Sequence, residues 1–309
     1  ANRFEGCTIE AVHSAIRKGN LTILEWLYTN RLEDCLCANN DKPLINVAAR
    51  YDHFSLVEWL HAHRHGNCSV KAMNSAARNG NLPLLNWLHI NRSEGCSSQA
   101  MDKAAAKGHL HVIEWLHANR TEGCSSQAMD NAAEKGHLHV VEWLHSNRSE
   151  GCTTEAMDEA AEKGQLHVVE WLHANRSEGC TTKAMDQAAD RGHLHVVEWL
   201  HENRSEGCTE AAMSSAAMGG LLPIVIWLHE NRTEGTNGFA MDLASSLGHL
   251  DVVEWLSANR AEEFCTEEAM DGAARHGHLS VVEWLHANRA EGCTTEAMDR
   301  AARNGHLPV

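Results

Sequence analysis

Residues 152–179 read Cys-Thr-Thr-Glu-Ala-Met-Asp-Glu-Ala-Ala-Glu-Lys-Gly-Gln-Leu-His-Val-Val-Glu-Trp-Leu-His-Ala-Asn-Arg-Ser-Glu-Gly, and variants of this block fill the chain. Its tryptophan returns as Trp26, Trp59, Trp87, Trp115, Trp143, Trp171, Trp199, Trp227, Trp255 and Trp284. The first spacing is 33 residues, the last is 29 and every one between is 28. A fixed period of this length marks units that cannot bury their apolar faces alone and must stack on their neighbours. The 309 residues are therefore expected to form one elongated array, not the two domains their number would suggest.

Within the block, Thr153 and Thr154 are N-cap candidates, and Glu155 suits the first turn of a helix. Ala156, Met157, Ala160 and Ala161 give an apolar stripe at helical spacing, and Gly164 ends the helix by taking positive φ. A second helix is expected over 166–175, with Leu166, Val168, Val169 and Leu172 facing the core. Asn175 stops it, and Gly179 turns the chain into the next unit. Counting along the chain gives eleven first helices, the last near 296–304, ten complete second helices and no strand signal.

The motif Ala-Ala-x-x-Gly-His-Leu-x-Val-Val-x-x-Leu, at 132–144 and again at 188–200, resembles the ankyrin repeat. The likeness runs through nearly every unit, and it implies an all-α, ankyrin-like helix-turn-helix solenoid of about ten to eleven repeats. Two features depart from the family. Glu-Ala-Met-Asp, as at 155–158, stands where the family has Thr-Pro-Leu-His. The period of 28 is shorter than the family's 33, and the missing residues fall where ankyrins project a β-hairpin finger. Short units of this kind resemble the ankyrin-like arrays expanded in oomycetes. The resemblance implies a scaffold that binds a partner protein, no enzymatic activity and no cofactor. Only the first junction, Arg31–Pro43 with Leu36 and Asp41 near its tip, keeps the full spacing.

Bulk properties narrow the partner. A formal net charge of −16 argues against nucleic acid, whose binding relies on clustered Lys and Arg. Protonation of all 23 histidines would carry the charge to +7, so the surface field reverses in mild acid. No run of 18 apolar residues can span a membrane. Cys68, Cys96, Cys124, Cys152, Cys180 and Cys208 recur once per unit. Packed helices lie ~8–10 Å apart, beyond the ~4.4–6.8 Å between Cα atoms that a disulfide spans. They read as small buried residues of a reducing compartment, placing the chain in the cytoplasm, with the nucleus as an alternative. The chain begins and stops inside repeats, which suggests an excerpt of a longer protein.

Several recurring side chains invite a chemical reading. The tryptophans could stack planar ligands, but their place in Val-Val-Glu-Trp-Leu favours core packing. The histidines at 137, 139 and 145 do not converge as zinc ligands must. A structural role is expected for them, with Gly-His imidazoles neutral and bonded to loop backbone. Cys35-x-Cys37 is a weak metal signal on its own. Arg92, Arg120, Arg148, Arg176, Arg204, Arg232, Arg260 and Arg289 mostly precede a Glu by two residues. They are expected to form a solvated charge network, with Asp130, Asp158 and Asp186 as further partners.

The informative positions are those that vary: the residue after Met-Asp and the two before the Gly. They read Lys103, Ala106 and Lys107, then Asn131, Glu134 and Lys135, then Glu159, Glu162 and Lys163, then Gln187, Asp190 and Arg191. By the family resemblance the pair before the Gly lines the partner-binding inner face. Two adjacent units replace charge with apolar residues: Met218, Leu221 and Ile226 in one, Phe239, Leu243 and Leu247 in the next. Met218, Leu243 and Leu247 are expected to form one exposed patch, either a partner site or decayed units packing on themselves. Two alternatives to a scaffold remain at this level. One is a filament self-associating through uncapped ends; the other is a targeting module for an active domain elsewhere.

Overall fold

The computed structural model describes residues 9–35, 43–63, 67–260, 265–307 and 309, and every regular element among them is an α-helix. Two compact units result, Ala1–Thr153 and Thr154–Val309. The first holds α1 (Ile9–Arg17), α2 (Leu21–Cys35), α3 (Leu44–Arg50), α4 (Phe54–Ala62), α5 (Val70–Asn79), α6 (Leu82–Asn91), α7 (Gln99–Ala105), α8 (Leu110–Asn119), α9 (Gln127–Glu134) and α10 (Leu138–Asn147). The second holds α11 (Glu155–Glu162), α12 (Leu166–Asn175), α13 (Thr182–Asp190), α14 (Leu194–Asn203), α15 (Glu210–Met218), α16 (Leu222–Asn231), α17 (Ala240–Ser246), α18 (Leu250–Asn259), α19 (Glu267–His276), α20 (Leu279–Asn288) and α21 (Thr295–Asn304).

Odd-numbered helices pack side by side within each unit, and each even-numbered helix packs on the odd one before it. The alanine pairs allow this: Ala76, Ala77, Ala160, Ala161, Ala188 and Ala189 are fully buried, and each odd helix from α1 to α19 adds a buried Met or its equivalent, whereas Met298 of α21 is exposed. The even helices contribute Val168, Val169 and Leu172 and their counterparts, whereas Leu166 is only half-buried. Gly164 ends the first helix of its repeat with φ of 70°. Asn175 Nδ2 donates to the Trp171 carbonyl oxygen at 2.9 Å, and the backbone turns extended at Arg176. Thr154 makes no side-chain cap on α11. Caps do form where the preceding threonine is extended, as when Thr181 Oγ1 accepts from the Lys183 N–H.

Three joints repeat between neighbours, and they correct several expectations. First, the aspartates do not serve the arginines. Asp158 is buried, and it accepts the Thr181 N–H at 2.8 Å and the Thr181 hydroxyl at 2.7 Å from the next repeat. Asp102 holds Ser125, Asp130 holds Thr153, Asp186 holds Thr209 and Asp242 holds Thr266 in the same way. A carboxylate this enclosed keeps its place only when its lone pairs are met.

Second, each Gly-His imidazole sits over the glycine one repeat earlier. A Cβ on Gly164 would lie 2.7 Å from His193 Nδ1, and one on Gly108 would lie 2.9 Å from His137 Cε1. The rings bond the preceding turn: His109, His137 and His193 bond the backbone of Arg78, Ala106 and Glu162, and His53, in the same place after Asp52, has its Nε2 3.1 Å from the Arg17 carbonyl oxygen. The second histidine of the motif follows suit, with His111 Nε2 3.1 Å from that of Gly80. Burial, then neighbouring positive charge, holds His109, His137, His193 and His278 below the ordinary imidazole pKa.

Third, the Arg-Glu pairs at Arg120, Arg148, Arg204 and Arg232 tuck against the glycine and cysteine of the preceding repeat. Arg204 binds Glu206 through both Nε, at 3.2 Å, and Nη2, while its Nη2 blocks the space beside Gly179. The pair is mostly covered, so it is not the solvated network expected from sequence. The hydrogen bond from Arg120 pulls the Glu122 carboxyl down to about 2, and Arg148 does the same for Glu150. Burial pushes the Cys180 and Cys208 thiols up to about 11 and Cys124 to about 12, as befits packing residues.

The tryptophans are also corrected. None belongs to the fully buried core; Trp26 is exposed and the other nine are half-buried. Their rings meet the Trp-Leu-His imidazole of the previous repeat edge to face, as in His173–Trp199, His201–Trp227 and His229–Trp255, at centroid distances of 5.3, 5.1 and 5.1 Å.

Candidate protein-interaction face

With the Ala-Met stripe buried, each odd helix has one face left for solvent. The variable positions lie there. Lys107, Lys135, Lys163 and Arg191, next to the turning glycine, are all exposed. Asn131, Glu134, Glu159, Glu162, Gln187 and Asp190 are half-buried beside adjacent helices, and Lys103 is exposed. Much of the charge is compensated locally in the middle repeats. Lys135 Nζ lies 2.6 Å from Glu134 and Lys163 Nζ 2.9 Å from Glu162, while Arg191 reaches Glu162 at 3.3 Å and Asp190 at 3.4 Å. The Lys163 hydrogen bond lowers the Glu162 pKa.

The two greasy repeats present a different surface. Met218, Phe239 and Leu247 are exposed, and Leu243 is half-buried. A Cβ on Gly272 would lie 2.8 Å from Ser246 Cβ. One repeat earlier the same register pairs Leu243 with Met218 on the packed helices α17 and α15. Leu221 is not part of that surface. It replaces the Gly-His imidazole and rests at ordinary contact, 3.5 Å, from the Cβ position of Gly192. Leu36, Asp41, Cys37 and most of the Arg31–Pro43 junction, like the Cys35 side chain, lie outside the described residues.

Sequence reading passed over a third surface, in the first unit. A groove of about 580 Å³ is walled by His13 of α1, Asn46, Val47 and Arg50 of α3, Lys71, Ser75 and Arg78 of α5, and Gln99 and Lys103 of α7. Arg50 and Arg78 occupy the variable position held by Glu162 later in the chain. The period itself would have found them, had the variable positions been counted back from Lys103. Among the described residues no cluster of three or more His, Cys, Asp or Glu could hold a metal ion. No helix there is long and apolar enough to cross a membrane.

The helical pairs, the glycine-seated histidines and the solvent face on the odd helices are those of a stacked-repeat solenoid. The model for ankyrin repeats in many copies matches residues 73–117, 101–145, 129–173, 157–201, 241–286 and 270–309. The chain belongs to the ankyrin-repeat family. The matches leave out 1–72 and 202–240, the second stretch holding Met218, Leu221 and Phe239. Comparison with curated proteins returned no match.

Proposed function

We propose that this ankyrin array is a non-enzymatic scaffold that binds a partner protein along the exposed face of its odd-numbered helices. Ankyrin repeats generally mediate protein–protein interaction. The observation that carries the reading is where variation falls. Ala-Ala, Met and Val-Val recur in buried positions, while Lys103, Lys107, Asn131, Glu134, Lys135, Glu159, Glu162, Lys163, Gln187, Asp190 and Arg191 change on the solvent face. Such a face alters its partner without altering the fold. Met218, Leu243, Leu247 and Phe239 supply an apolar anchor of the kind that dominates interface affinity. The unbroken 28-residue register from Trp59 to Trp255 supports a single array. The eight free cysteines among the described residues support a reducing, cytoplasmic setting.

Capture from native lysate tests the reading. The Met218→Glu/Leu243→Glu/Leu247→Lys variant, checked for retained helicity, is expected to lose a protein that the wild-type array retains. Equal recoveries would remove the apolar anchor from the interface.

A further inference from the structure

We propose that the groove across α1, α3, α5 and α7 receives an extended acidic segment of polypeptide. This rests on the reading of the odd-helix face as protein-binding, and it names the chemistry of one partner element. Arg50, Lys71, Arg78 and Lys103 are exposed around the groove, and among the described residues none is in an ion pair. Among the described residues, Glu10 near its α1 end is already engaged by Arg17 at 3.1 Å. At the register positions of Arg50 and Arg78, later repeats carry Glu134 and Glu162, each paired with a neighbouring Lys. Four cations held in no salt bridge thus converge on one recess in a chain of net charge −16.

Size and surroundings select the occupant. Four helices packed at ~8–10 Å spacing span roughly 25–30 Å, the length of about eight extended residues at ~3.3 Å each. Arginine matches a carboxylate in a two-point fork, so Asp and Glu side chains projecting from such a strand fit Arg50 and Arg78. A nucleic acid is a poorer fit. The groove walls offer no Phe, Tyr or Trp to stack bases.

Fluorescence anisotropy with the full chain tests the proposal. The probes are a labelled peptide of alternating Glu and Ser of about eight residues, its Lys-Ser counterpart and an oligothymidylate of similar length. The acidic peptide is expected to bind, more weakly as salt rises. Arg50→Glu/Arg78→Glu/Lys103→Glu is expected to weaken it by at least about tenfold, and the corresponding Gln variant by less. Lys183→Glu, on α13 of the other unit, leaves it unchanged. Unchanged thermal midpoints verify that these exposed substitutions spare the fold, and the Gln variant carries the test if the Glu variant misfolds. Absence of acidic-peptide binding, tighter binding of the oligothymidylate, or binding indifferent to the triple substitution overturns the proposal. A lysate partner lost with the Met218/Leu243/Leu247 variant but kept by the groove variant would leave the scaffold standing and remove the acidic segment.

Discussion

The repeat of α11 and α12 and the repeat of α15 and α16 share one backbone plan but join their neighbours by different means. In the first, Asp158 takes both the N–H and the hydroxyl of Thr181, and His193 of the next repeat fills the space over Gly164. In the second, Ser214 Oγ accepts only the Asn237 N–H, at 3.0 Å, and donates its own proton to the Glu210 carbonyl oxygen. Its Leu221 lies against Gly192 where an imidazole sits elsewhere. Helix lengths and the buried alanine pair survive the exchange. The polar joints therefore add stability and register to a stack that apolar burial already specifies. Where they are thinned, the outward face also turns apolar.

The comparison can be broken at the joints. Asp158→Ala strands a buried N–H and a hydroxyl, and it is expected to cost about 3 kcal/mol, against about 1 kcal/mol for Ser214→Ala. Urea unfolding of the two variants checks this, and equal costs would make the aspartate joint ordinary. The glycines offer a second contrast. Gly164→Ala combines left-handed strain with displacement of His193 and is expected to cost about 3 kcal/mol. Gly192→Ala, facing only Leu221 at van der Waals distance, carries the strain alone, about 1 kcal/mol.

Acid sharpens the contrast further. His109, His137, His193 and His278 have lowered pKa values in the fold, so below the ordinary value near 6.5 the unfolded chain binds protons that the native state declines. Stability is thus complete at neutral pH and falls as pH drops. The thermal midpoint is expected to decrease from pH 7.5 to 5.5, and less so for His109→Gln/His137→Gln, which installs the residue native at Gln165. Glu122 and Glu150, held near 2, contribute above about pH 4.5 and lose their effect only in stronger acid, so the two windows separate. The smallest effect belongs to the solvent face. Lys163→Gln breaks an exposed pair and should change stability by less than about 0.5 kcal/mol in the same unfolding assay.

Local order was legible from one block of sequence. The helix over 166–175, the buried Ala156, Met157, Ala160 and Ala161, and the positive φ at Gly164 follow from periodicity and glycine chemistry. What stayed hidden lies between blocks. Asp158 meets Thr181 across 23 residues, a separation that a single unit does not display, so the aspartates looked like partners for nearby arginines. Trp171 and its equivalents sit in an apolar stripe, yet a ring so large ends at the rim of the stack, where in the neighbouring joints it meets the histidine of the previous repeat edge to face. The basic groove escaped notice because its cations come from three different repeats, each unremarkable alone.

The glycine seat and the histidine that fills it lie in successive repeats, one always facing forward and the other back. Between Trp59 and Trp255, removing or duplicating a block of 28 residues again sets a glycine seat one repeat before the side chain that fills it. Recombination within such a gene can therefore lengthen or shorten the protein freely while its surface letters drift, so that ancestry is kept in the joints and novelty in the face they leave open.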